Sequence, residues 1–148
     1  MKISVVVFSM LICGSFIANA ATDQDRDNAR LMLDGASLHA QSMVLELVRK
    51  AYYQNEPNPD HAGDALKLGF TQTKNHGRQV GRTDKISCQR AQKEFSDKLY
   101  ANIQESQYKA RAAMTSANQM ETEEYIDMLE DWADTHSKLF LYSCLSVR

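Results

Sequence analysis

Between residues 25 and 54 the apolar positions Ala29, Leu33, Ala36, Ala40, Met43, Val44, Leu47 and Ala51 recur at steps of three and four, which places them on one face of an α-helix. Arg30 with Asp34, and Glu46 with Lys50, have the four-residue spacing of ion pairs along the same helix. Asn55-Glu56-Pro57-Asn58-Pro59 ends it, because two prolines in three positions cannot continue the hydrogen-bond ladder. Asp60 is placed to cap a second helix, whose apolar positions are Ala62, Ala65, Leu66, Gly69 and Phe70. Gly63 and Gly69 weaken that helix. The stretch from Lys74 to Arg82, punctuated by Gly77 and Gly81, reads as its frayed end and a basic loop. A third helix, capped by Thr83 or Asp84, carries Cys88, Ala91, Phe95, Leu99, Ile103, Ala110, Met114 and Ala117 in one stripe. The fourth begins near Glu121 and sets Tyr125, Ile126, Leu129, Trp132, Ala133, His136, Phe140 and Cys144 on one face. Its early carboxylates Glu121, Glu123 and Glu124 suit the positive end of the helix dipole.

Four amphipathic helices joined by short connections predict an all-α, four-helix, up-and-down bundle. The cysteines add a constraint. A disulfide needs Cα atoms about 4.4 to 6.8 Å apart, so if the last two helices are antiparallel neighbours, Cys88 and Cys144 should lie roughly equally far from the turn between them. That places the turn near Thr115-Ser116, a little earlier than the apolar pattern suggests, or else requires a stagger of a turn or two between the helices. Closing a loop of 56 residues would stabilise the fold by about 4 kcal/mol.

The first twenty residues follow another pattern. Lys2 precedes an apolar run from Ile3 to Ile12, and Ala18-Asn19-Ala20 has the small-x-small form of a cleavage site before the chain turns polar. The run is too short to span a bilayer. This predicts a signal peptide over 1–20 and a single helical domain over 21–148, in a periplasmic or secreted protein. Cys13 would be removed with the signal, and Ile12 before it is too bulky for a lipid-attachment motif. The two remaining cysteines are then expected to be bridged in an oxidising compartment.

Charge and motifs narrow the function. Removing Lys2 from 17 basic residues leaves 16 against 19 acidic ones, a net charge near −3, which argues against nucleic acid as a partner. Asp23, Asp25 and Asp27 alternate like the start of a calcium loop, but Asn28 stands where that loop needs Gly and Asp34 where it needs Glu. His39 and His136, with Met32, Met43, Met114 and Met128, make the chain superficially similar to a b-type bundle cytochrome. That resemblance would imply haem, or a two-histidine metal site, although no HExxH or Glu-x-x-His pair is present. No C-x-x-C and no nucleophile elbow occur, so catalysis is not expected.

The basic stretch Lys74, His76, Arg78, Arg82 and Lys85 departs from the acidic average. As a loop with backbone N–H groups exposed by glycine, it could meet an anionic ligand or an acidic surface on a toxin or enzyme. The sequence thus predicts an exported, non-enzymatic binding module without cofactor, most concretely an inhibitor or immunity protein. In general plan it resembles the helical, single-disulfide immunity proteins paired with type VI secretion amidases, though no motif is shared. A haem or metal carrier, or an envelope stress protein with chaperone-like binding, is the alternative.

Overall fold

The structure is a computed structural model that describes residues 22–83 and 86–148; the expected signal segment and Lys85 lie outside them. Four helices account for nearly all of it: α1 (Asp23–Tyr53), α2 (Pro59–Thr83), α3 (Cys88–Ala112) and α4 (Gln119–Leu145). The chain is therefore all-α, an up-and-down bundle, with Cys88 and Cys144 joined at a Cα separation of 5.8 Å.

Local chemistry explains the helix ends. Thr22 Oγ1 accepts from the backbone N–H of Asp25 at 3.1 Å, and the Asp25 carboxylate accepts from the N–H of Thr22 at 2.9 Å, which is a capping box. The Thr22 hydroxyl, which donates to the Asp25 carboxylate at 2.6 Å, and after it the Thr22 N–H hold that carboxyl below its ordinary range. The alternating aspartates therefore serve the start of a helix, with Asp23 and Asp27 paired to Arg26 and Arg30. Arg30 consequently reaches back to Asp27 instead of forward to Asp34. The end of α1 is a Schellman motif: Asn55 takes a left-handed φ of 56°, Glu56 N–H bonds Ala51 C=O at 3.0 Å, and Asn55 N–H bonds Tyr52 C=O at 3.1 Å. Pro59, not Asp60, opens α2, at the position where a missing N–H costs nothing. Ser87 caps α3, accepting from Arg90 N–H at 3.3 Å, in place of the expected Thr83 or Asp84.

The largest correction concerns residues 74–82, which are helical throughout α2 and form no loop. Glycine in a helix interior costs about 1 kcal/mol relative to alanine, and here close packing offsets that cost. Gly69, Thr73, Gly77 and Gly81 form a small-residue ridge at four-residue steps that lies against α4. A Cβ at Gly77 would collide with the Phe140 carbonyl, and one at Gly81 with the Cys144 carbonyl. The α2–α4 contact is consequently the most extensive in the molecule, while α1 packs on both. Helix α3 rests on α4, scarcely meets α2, and among the described residues does not touch α1.

Helix α4 is thus the spine. Ala133, Leu139, Phe140, Ser143 and Cys144 are almost fully enclosed. On one side Leu139 packs with Leu33, Ala40 and Phe70. On the other Phe140 stacks on Phe95 of α3 at 4.7 Å, with the His76 ring edge-on to both. The connection between α3 and α4 covers 113–118 and is centred where the cysteine spacing placed it. Met114 and Ala117, expected on the third apolar stripe, lie exposed in that connection, and Tyr125 is also exposed.

Candidate functional site

Because α1 and α3 flank α4 without meeting, the bundle stays open between them. The bridge closes one end, where α1 begins and α4 finishes; Arg26 donates to the Arg148 carbonyl at 2.9 Å there, and Arg148 donates to the Ile86 carbonyl. At the other end lies a cleft of about 820 Å³. Its apolar lining comes from Met43 and Leu47 of α1, Leu66 of α2, Ile103 of α3, and Met128, Leu129 and Trp132 of α4. Two of these are methionines, whose unbranched, polarisable side chains adapt to varied surfaces.

The polar margin is mainly acidic. Glu46, Glu124, Asp127 and Asp131 line the cleft, against one cation, Lys50. Lys50 Nζ lies 3.7 Å from Glu46 and 3.5 Å from Glu124, and His39 meets Asp131 at 2.9 Å. Steps of three and then four residues, from Glu124 through Asp127 to Asp131, set these α4 carboxylates along one edge.

His136 lies beneath this floor. Its ring centroid is 4.5 Å from that of Trp132 and 4.7 Å from that of Phe70, and Nδ1 is 2.6 Å from Thr73 Oγ1. Nε2 is buried with no hydrogen-bond partner among the described residues. Burial pushes its pKa from 6.5 down to about 4, so the ring is neutral at physiological pH. His39 and His136 are engaged separately, one at the surface by Asp131 and one in the core by Thr73. Of the methionines considered with them, Met32 is exposed, and Met43 accepts a hydrogen bond from Thr135 at 3.5 Å. Among the described residues no three His, Cys, Asp or Glu side chains gather as a metal-binding group.

The basic residues do not converge on one point. Lys74, Arg78 and Arg82 follow one another at four-residue steps and form a ridge along α2. Lys74 is half-buried beside Phe70 and Leu45, whereas Arg78 and Arg82 are exposed. Arg82 lies in a shallow depression with Asp23 and Asp27, which tempers the positive charge at that end. His76 turns away toward Phe95 and Phe140. The glycines beside these residues lie against α4, Gly77 buried and Gly81 half-buried.

Compared with known proteins, the chain matches no family model, no curated protein and no solved structure. The cleft residues Leu47, Leu129 and Trp132 were legible only as core positions, and Met43 as a core position or a candidate haem ligand. The available signal was the acidic run along the first half of α4, which reads equally well as dipole compensation and solvated surface.

Proposed function

We propose that this chain is an exported, non-catalytic binding module whose acid-edged cleft receives a cationic, apolar-anchored segment of another protein. The supporting observation is the cleft itself: an apolar floor with two methionines, bordered by four carboxylates and one ammonium. A groove of this kind suits the apolar face of an amphipathic helix, and its edge suits flanking Lys or Arg. Inhibitor or immunity function toward an envelope-acting toxin or enzyme is the most concrete form of this reading. Export is inferred from the N-terminal pattern and from the joined cysteines; no described helix is long and apolar enough to cross a membrane.

Trp132, the single tryptophan, provides the assay. A synthetic amphipathic helix bearing Lys around Leu and Phe anchors should shift its fluorescence saturably, with affinity falling as salt rises. Replacing Asp127 and Asp131 by Lys should weaken binding by about tenfold or more. Equal binding of an acidic peptide with the same anchors would refute the role of the edge. Broad binding of unfolded chains would favour the chaperone-like alternative.

The exposed ridge of Arg78 and Arg82 supports a second contact, with an acidic surface of the partner. Co-purification from the native host, repeated with Arg78→Glu and Arg82→Glu, tests it; an unchanged complex removes the ridge from the interface.

A further inference from the structure

The outer face of α1 carries a second apolar stripe that the bundle leaves largely exposed. Leu31, Leu38, Leu45 and Tyr52 recur every seven residues, are 70%, 65%, 71% and 70% exposed, and lie opposite the buried Ala29, Leu33, Ala40 and Ala51. Scattered exposed leucines need no explanation. A heptad series over about 32 Å of helix does, because seven-residue spacing keeps side chains aligned toward a partner helix.

We propose that this face pairs with the same face of a second copy of the chain, with the two α1 helices antiparallel. The pattern reads alike in both directions about a point between Gln41 and Ser42. Leu38 and Leu45 are equally far from that point, as are Leu31 and Tyr52, and as are Asp34 and Arg49. A two-fold axis there brings each residue of one copy to its counterpart on the other, the self-complementarity that an isologous interface requires. Asp34 of each copy then meets Arg49 of the other, once on each side of the axis. A parallel pairing would instead set Asp34 against Asp34 and Arg49 against Arg49, so the charges select the antiparallel arrangement.

The local ion pairs agree with this. Neighbouring Arg30 is taken by Asp27, and Lys50 by Glu46 and Glu124, while Asp34 and Arg49 are exposed and have no ion-pair partner among the described residues. This surface lies across α1 from the cleft wall formed by Met43 and Leu47, so the inference does not depend on the proposed function.

Sedimentation equilibrium of the exported, disulfide-bonded protein gives the test. Wild type should be a dimer. Leu38→Glu, at an exposed position that leaves helicity intact by circular dichroism, should raise the dissociation constant roughly a hundredfold by burying a carboxylate in the apolar stripe. Asp34→Arg alone and Arg49→Asp alone should each weaken the dimer by about tenfold, and the double exchange should restore it to near wild type. A monomeric wild type, a dimer indifferent to Leu38→Glu, or a double exchange that fails to restore pairing would each overturn the proposal.

Discussion

His136 shows how one side chain can set a pH limit on the whole fold. Its neutral form is buried between Phe70 and Trp132, and its folded pKa is about 4 against 6.5 when free. Above pH 6.5 the ring is neutral in both folded and unfolded chains, so it adds no pH dependence. As pH falls below 6.5 the unfolded chain takes up a proton that the folded chain refuses until about pH 4. Stability should therefore be lost across that window, by about 3 kcal/mol in all. Urea unfolding at successive pH values measures this, and His136→Gln should flatten the slope between 6.5 and 4 relative to wild type. Loss of carboxylate contributions such as that of Asp25 belongs to more acidic pH and should persist in the variant. The burial of His136 was legible, since the sequence sets it on the face of Trp132 and Phe140. Its hydrogen-bond partner was not: Thr73 comes from another helix, 63 positions away.

At the scale of helices, the same residue type acts in opposite ways. Gly35 interrupts a strong helical pattern with open space around its Cα, whereas Gly77 and Gly81 lie directly against the α4 backbone. Gly35→Ala should stabilise the protein by about 1 kcal/mol, through helix propensity alone. Gly77→Ala and Gly81→Ala receive the same propensity gain but force α2 away from α4, and should be destabilising by about 1–3 kcal/mol net. Thermal or urea unfolding of the three variants checks both signs; a stabilised Gly77→Ala would contradict the close α2–α4 approach. Local rules give Gly77 and Gly81 as helix breakers, which is why 74–82 reads as a loop. The contradiction is tertiary, because only the position of α4 turns a propensity defect into a packing surface. The exposed heptad of α1 is the reverse case: Leu31, Leu38 and Leu45 are visible in the sequence, but the richer stripe through Leu33 and Ala40 draws attention to the core face alone.

At the scale of the whole molecule, the cysteine spacing carried the most information. Equal distance from a turn pointed to Thr115-Ser116, the middle of the observed connection 113–118, so the two helices pair without the stagger that the spacing also allowed. What no spacing conveys is that α2 and α4 form the short diagonal, leaving α1 and α3 apart and the cleft open between them. This arrangement makes α3 the least anchored helix. It rests on α4 through Phe95 on Phe140, through Gln92 and Ser96 bonded to Ser137, and through Gln107 donating to Glu130 at 2.9 Å. The Cys88–Cys144 bridge fixes its first residue to the most buried helix. Breaking the bridge, by reduction or by changing both cysteines to serine, should cost about 4 kcal/mol of global stability. The loss should be unevenly distributed. Amide exchange should accelerate first in α3, beginning near Cys88, while the amides of α1, α2 and the second half of α4 retain protection through the glycine ridge and the Leu33–Phe70–Leu139 core. Uniform acceleration across all four helices would mean that the bridge stabilises the chain only through its unfolded state, and that α3 is held by its packing alone.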